Sequence, residues 1–167
     1  ARQVAIRAKG FGLRVISFDP ILTPEMAEEA EIDSVSLDDL LATSDYISIH
    51  CPSIDATRGM INAETLGKMK PTAYLINTSR GDIVNEAELA DALEAGEIAG
   101  AALDVRSQEP PEAGDRLIQM EQVIHTPHAS FCSTESLYEL RERTAWEARR
   151  VLSGEEPENL VNPEYRK

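Results

Sequence analysis

Short apolar runs alternate along the chain with segments in which apolar residues recur every three or four positions. The runs are "LRVISF" (Leu13 to Phe18), "YISIH" (Tyr46 to His50), "AYLIN" (Ala73 to Asn77), "GAALDV" (Gly100 to Val105) and "QVIHT" (Gln122 to Thr126), and "IDSV" adds a very short one. Each has the length of a strand and stops at Pro, Asp, Asn or Gly, which are turn-forming residues. Helices are predicted between them. "RQVAIRAKGFG" closes on glycine, as helix ends do. "TPEMAEEA" carries Thr23 as cap and Pro24 in its first turn. Ser36, Asn62 and Asn85 cap three more helices, and Gly96 stops the last of these. A long helix begins near Ser133 or Thr134 and runs to about Ser153.

Strands that alternate with helices and are apolar on both faces imply a parallel sheet covered on both sides. The expected fold is therefore α/β, a Rossmann-type doubly wound parallel sheet. The predicted organisation is a cofactor domain over residues 1–154 and a departing tail over 155–167.

Composition narrows the possibilities. The chain has 167 residues, enough for one domain with a real core, and no apolar run approaches the length of a membrane span. A formal net charge of -14 repels phosphate backbones, so a nucleic-acid partner is not expected. The densest basic stretch, "RERTAWEARR", is interrupted by Glu142 and Glu147 and reads as a solvated helix face. Cys51 and Cys132 make no disulfide framework, which favours a reducing compartment, the cytoplasm. His125 and His128 form a His-x-x-His pair, which alone is weak support for a metal, and no metal site is expected.

In open α/β sheets ligands sit beyond the carboxyl ends of the strands. Asp19 follows the first predicted strand, and His50, Cys51 and Pro52 follow "YISI". Thr78, Ser79 and Arg80 follow "AYLIN", Asp104 ends "GAALD" with Glu109 in the next loop, and His128 follows "VIHT". An arginine, a glutamate and a histidine thus fall on one rim. Each has a bland alternative: Arg80 could pair with Asp82, Glu109 and His128 could be solvated loop residues, and Asp19 could serve only its turn. The joint chemistry is coherent. The arginine fork grips a carboxylate, the histidine exchanges a proton near neutral pH, and the glutamate stabilises the imidazolium. That set suits reduction of a carbonyl beside a carboxylate, a 2-oxo acid, with hydride from a cofactor. An acid at the end of the second Rossmann strand selects NAD over NADP, and Asp19 fits. The Gly-rich turn and the first strand are expected upstream of Ala1, which would take the third position of the G-x-G-x-x-G/A pattern.

"INTSRGDIVNEAELADALEAGEIAGAALDV", then "QEP", then "TPHAS", resemble the NAD-binding domain of the D-isomer-specific 2-hydroxyacid dehydrogenases. The likeness covers almost the whole chain. Its end, "TPHASFCSTESLYELRERTAWEARRVLSGEEPENLVN", is most similar to the branches holding the C-terminal binding protein corepressors and phosphoglycerate dehydrogenase. The resemblance implies that Arg80 binds the substrate carboxylate, that His128 is the acid/base and that Glu109 is its partner. Asp19 would hold the adenosine ribose, and the stretch Cys51 to Thr57 would line the adenine and pyrophosphate side. Thr78 and Asp104 would contact the nicotinamide half, and Ala129 to Phe131, with Ser130 touching the cofactor, would close the site. His50, Asn77, Ser79, Arg80 and His128 complete the implied cofactor-binding set.

Two residues depart from the family pattern. Phe131 replaces the corepressors' tryptophan, and Arg106 stands where an aromatic or aliphatic residue is common. The family also implies a homodimer and a substrate domain built from upstream sequence and the chain's end. Two readings follow: an NAD-dependent dehydrogenase of D-2-hydroxy acids, or an NAD(H)-sensing corepressor-like binding protein on the same fold.

Overall fold

The computed structural model describes residues 1–162 and Glu164. Six strands and seven helices follow in the order α1 (Arg2–Gly10), β1 (Ile16–Ser17), α2 (Pro24–Ala30), β2 (Asp33–Ser34), α3 (Leu37–Thr43), β3 (Tyr46–Ile49), α4 (Ala63–Leu66), β4 (Tyr74–Asn77), α5 (Glu86–Ala95), β5 (Gly100–Leu103), α6 (Arg116–Gln119), β6 (Val123–His125) and α7 (Thr134–Leu152). A 3-10 turn, Gly81–Ile83, lies between β4 and α5. The chain divides into two compact units, Ala1–His128 and a second starting at Ala129. The sequence-based boundary at residue 154 falls inside the second unit.

The predicted caps hold in detail. Thr23, Ser36, Asn62, Asn85 and Ser133 each accept a backbone N–H of the first helical turn, and Asn62 and Ser133 complete reciprocal capping boxes. Gly96 closes α5 in the left-handed region, at φ 71°.

Every paired strand is parallel. β3, β4, β5 and β6 form one sheet in that order, and β1 pairs with β2 in a separate two-stranded ladder. Among the described residues no strand joins the two ladders. The first expected strand shrinks from Leu13–Phe18 to Ile16–Ser17, because only two residues of β2 are available to pair with it.

Leu41, Leu66, Leu75, Ile83 and Leu89 are fully buried and, with Ile47, Ile49, Leu93 and Leu103, form a core on one face of the four-stranded sheet. Burying each such side chain is worth about 1.5–3 kcal/mol. The expectation that the strands are apolar and buried on both faces needs correction. β3 alternates, with Ile47 and Ile49 buried but Tyr46 and Ser48 exposed, and Tyr74 is exposed on β4. Tyr46 and Tyr74 are register partners and stack at 5.7 Å, shielding each other on the open face.

In the second unit, the residues after α7 turn back on it. Glu147 accepts the backbone N–H groups of Glu158 and Asn159 at 3.1 and 3.2 Å, and Arg150 pairs with Glu158. Glu158 and Asn159, inside the predicted tail of residues 155–167, thus bond to α7. The tail's last members, Tyr165 to Lys167, and Pro163 lie outside the described residues.

Candidate active site

Register makes the rim. Ile49 pairs with Asn77, Asn77 with Leu103 and Leu103 with His125. The four strands end level, so His50, Thr78, Asp104 and Thr126 leave the sheet side by side. Bonds between the emerging loops keep them there. The Ser79 hydroxyl donates to the Cys51 carbonyl. The Asp104 amide donates to the Asn77 carbonyl at 2.9 Å, and the His128 amide to the Asp104 carbonyl at 2.9 Å. The Thr126 hydroxyl donates to the Asp104 carboxylate at 2.5 Å.

Asn77 shapes the loop that carries Arg80. It is 1% exposed. Its amide nitrogen donates to the Arg80 carbonyl at 2.9 Å and its amide oxygen accepts the Ser79 N–H at 3.0 Å. Both ends of the side chain thus brace the turn at Thr78–Arg80 from beneath. A buried amide so satisfied is rigid, because any other pose strands a polar group without water.

The Arg80 side chain is exposed, and its Nη1 donates to the Ser79 carbonyl at 2.7 Å. No carboxylate lies within ion-pair distance of it among the described residues. The bland alternative, a pair with Asp82, does not form. Asp82 instead accepts the Ser53 hydroxyl at 2.6 Å and the Arg58 Nε at 3.2 Å. The Ser53 hydrogen bond, then the bond and charge of Arg58, hold its carboxyl below the ordinary aspartate value.

His128 and Glu109 do meet. Nδ1 of His128 lies 2.8 Å from Glu109 Oε2. The other oxygen, Oε1, accepts the Arg106 backbone N–H at 2.9 Å. That backbone bond, followed by the bond and charge of His128, keeps the Glu109 carboxyl ionised and below the ordinary glutamate value. An ionised partner on Nδ1 fixes the ring orientation. His128 sits in the left-handed region at φ 51°, which costs a non-glycine residue of order 1–3 kcal/mol. Such strain persists where surrounding bonds over-determine the backbone, and the His128 amide is held by Asp104 and Thr126 carbonyls at 2.9 and 3.0 Å.

The Arg80 and Glu109 loops touch through a glycine. A Cβ on Gly81 would fall 2.0 Å from the Arg106 carbonyl carbon and 2.2 Å from the Ser107 nitrogen. Only glycine lets the two backbones pack this closely.

Most of the remaining predicted residues of the first unit lie on the loops after β1 and β3. Cys51 is half-buried beside the core, and burial, then the nearby Asp19 charge, raise its thiol above the ordinary value. It is a neutral, weakly polar wall there. The Oδ1 of Asp19 accepts the Ile21 N–H at 3.0 Å, which serves the turn before Pro20. Thr57 ties its loop, donating to the Pro52 carbonyl at 2.6 Å and accepting from the Ile54 amide at 2.9 Å. His50 bonds the Ser48 hydroxyl at 3.0 Å. Ser130, with Ala129 and Phe131, belongs to the second unit. His125 is taken up by the Leu117 carbonyl at 2.9 Å, which accounts for the first member of the His-x-x-His pair.

The rim carries backbone-linked loops, the close His128–Glu109 pair and, on the same edge, the exposed Arg80 guanidinium.

The chain matches the NAD-binding domain of the D-isomer specific 2-hydroxyacid dehydrogenases over residues 1–130. It is 44% identical over 161 residues to a glyoxylate reductase of Korarchaeum cryptofilum, covering 96% of this chain and 48% of that protein. It is 41% identical over 160 residues to D-3-phosphoglycerate dehydrogenase 2 of Arabidopsis thaliana, covering 96% of this chain and 26% of that one. An NAD complex of a D-isomer specific 2-hydroxyacid dehydrogenase from Lactobacillus delbrueckii ssp. bulgaricus superposes with a TM-score of 0.85 at 32% identity, over 96% of this chain and 52% of that one. D-lactate dehydrogenase from Aquifex aeolicus, solved with NAD and lactic acid, gives a TM-score of 0.82 at 32% identity, over 91% of this chain and 50% of that one. The chain spans about half the length, or less, of the curated relatives it matches. It belongs to this family, and its cofactor is NAD.

Proposed function

We propose, from the chain's membership of the D-isomer specific 2-hydroxyacid dehydrogenases, that the full-length protein interconverts a 2-oxo acid and a D-2-hydroxy acid. The observation that carries this is Arg80: an exposed guanidinium with no carboxylate partner among the described residues, on the same rim as the His128–Glu109 pair. Arg80 binds the substrate carboxylate and draws electron density from the adjacent carbonyl. His128, protonated, donates from Nε2 to the carbonyl oxygen as it becomes the alcohol, and the neutral ring takes that proton back in the reverse direction. Glu109 holds the ring in place through Nδ1. NAD, when bound, supplies or accepts the hydride. Asp19 accepts from the adenosine ribose and disfavours a 2′-phosphate. Cys51 to Thr57, Asn77 to Ser79, Asp104 and Ser130 form the cofactor-binding set.

Residues 1–154 make up the cofactor domain, and residues 155–167 lead back to a substrate domain. The protein works as a homodimer in the cytoplasm, a placement supported by its two free cysteines. Among the described residues no helix is long and apolar enough to cross a membrane. The relatives and solved structures named above are reductases and dehydrogenases, which favours the enzyme over the corepressor-like reading.

NADH oxidation by the full-length protein with glyoxylate, hydroxypyruvate, phosphohydroxypyruvate and pyruvate tests the proposal. Turnover with at least one of them, lost in His128→Gln, is expected. Tight NADH binding with no turnover on any of the four would transfer support to the sensing role.

A further inference from the structure

Arg106 is a buried cation beside the rim. Its side chain is 6% exposed, and a charge that deep is costly unless it is paired. Nε donates to Glu86 Oε1 at 3.2 Å, and Nη2 donates to Glu86 Oε2 at 3.0 Å and to Asp115 Oδ2 at 2.8 Å. Nη1 is buried without a hydrogen-bond partner among the described residues. The guanidinium therefore bridges the first residue of α5 and the cap of α6. Glu86 Oε1 accepts a second bond, from the Ser107 backbone N–H at 2.7 Å.

The consequence reaches Glu109. The Arg106 amide holds Glu109 Oε1, and Glu109 Oε2 faces His128 Nδ1. The backbone that positions Glu109 is itself held at two adjacent points, by the Arg106 side chain and by the Ser107 N–H, both on Glu86.

We propose that Arg106 is a positioning residue: with Glu86 and Asp115 it fixes the 104–109 loop so that Glu109 presents its carboxylate to the His128 ring. An aromatic or aliphatic residue at position 106 would fill the space by packing alone. Arginine here makes the loop's pose depend on two carboxylates. The arrangement cannot relax quietly, because removing the cation leaves Glu86 and Asp115 half-buried side by side with no counter-charge. Glu86 is then expected to turn to solvent, releasing Ser107. The charged groups around Glu109 are His128, which faces it, and Asp104, which opposes its charge.

The proposal rests on the dehydrogenase reading, so the experiment has two independent readouts on the full-length protein. Kinetics of Arg106→Leu and Arg106→Lys are compared with wild type and Glu109→Gln, and the 15N resonance of His128 Nδ1 is followed in the same proteins. Arg106→Leu is expected to lower kcat for 2-oxo acid reduction by about tenfold or more, with KM for NADH within about twofold. Adding Arg106→Leu to Glu109→Gln should lower kcat no further. The His128 Nδ1 resonance should shift in the direction seen for Glu109→Gln. Arg106→Lys keeps the charge without the fork and should lie between.

Should Arg106→Leu fail to fold, Arg106→Lys and Glu86→Gln carry the comparison. A lower melting temperature with unchanged kcat and His128 resonance would overturn the proposal and leave Arg106 as a packing residue. Absence of turnover in wild type would overturn the dehydrogenase reading instead, while the resonance would still decide the role of Arg106.

Discussion

Gly81→Ala tests whether contact between two loops, rather than either loop alone, sets the site. A Cβ at position 81 would lie 2.0 Å from the Arg106 carbonyl carbon, 2.2 Å from its oxygen and 2.2 Å from the Ser107 nitrogen. Ordinary contact begins near 3.4 Å, so the two backbones must part by more than about 1 Å. No flexible side chain can absorb this, since all three neighbours are main chain. Overpacking of this kind costs about 1–3 kcal/mol in stability.

The parting also has a direction. Residue 80 moves away from residues 106 and 107, and therefore away from Glu109. A misplacement of about 1 Å at a reacting centre costs on the order of 10²-fold in rate. The expected outcome in the full-length protein is a loss of kcat/KM for the 2-oxo acid of about that size, beyond what the lost folded fraction explains. Chemical denaturation measures the stability term and NADH oxidation at a temperature well below unfolding measures the rate. Gly96→Ala is the control. Gly96 has φ 71° but nothing within 4 Å of its added Cβ, so it should lose about 1 kcal/mol and no activity. Wild-type kcat/KM in Gly81→Ala, within about twofold, would refute the claim that the two loops are set against each other through this glycine.

Other outcomes follow from the same geometry. Arg80→Lys keeps the charge but loses the planar fork; it should raise KM and lower kcat together, with kcat/KM down about ten- to a hundredfold, and steady-state kinetics matching wild type would remove the carboxylate from Arg80. In the Ser53→Ala, Arg58→Gln double variant Asp82 loses both its partners and is free to turn to Arg80. KM for the 2-oxo acid should then rise about two- to fivefold, as expected of an exposed ion pair, and an unchanged KM would show that Asp82 does not reach Arg80. Burial alone would raise the Asp115 carboxyl, but hydrogen bonds and the Arg106 charge hold it below the ordinary aspartate value. A depressed carboxyl stabilises the fold above its unfolded pKa and loses that contribution as pH falls through the lower folded one. Wild type should therefore lose stability more steeply than Asp115→Asn between about pH 4 and pH 2, followed by circular dichroism during denaturation.

The parts legible in the sequence are those fixed by near neighbours. A cap is set by one side chain and an N–H two or three residues on, so Thr23, Ser36, Asn62, Asn85 and Ser133 could be read directly. The rim was legible because parallel strands that end level carry their next residues to one edge, whatever those residues are. Arg80, Glu109 and His128 stood out as polar groups that no folding rule requires there. The helix Arg116–Gln119 escaped because four residues cannot show a period, although Asp115 supplied its cap. The exposed sheet face escaped because Tyr46 and Tyr74 are apolar by composition yet stack on each other in the open. The Arg106 clamp was out of reach. Its partners are 20 and 9 residues away in sequence, and only the fold brings α5 and α6 to either side of one guanidinium.

That difference in legibility has a physical origin. The groups proposed to touch substrate are exposed, and their chemistry can be read from residue type. The groups that hold them, Asn77 beneath the Arg80 turn and Arg106 behind the Glu109 loop, are 1% and 8% exposed, and their effect is geometric. A buried polar side chain has few satisfied poses, so it transmits position without adjusting. Asn77 sets where the Arg80 turn sits above β4, Gly81 sets its distance from residues 106 and 107, and Arg106 sets those residues against α5. Arg80 and Glu109 are thus joined by a continuous path of backbone contacts and hydrogen bonds. A rim built this way can keep the Arg80 cation and the His128–Glu109 pair in fixed relation even though all three side chains are open to water.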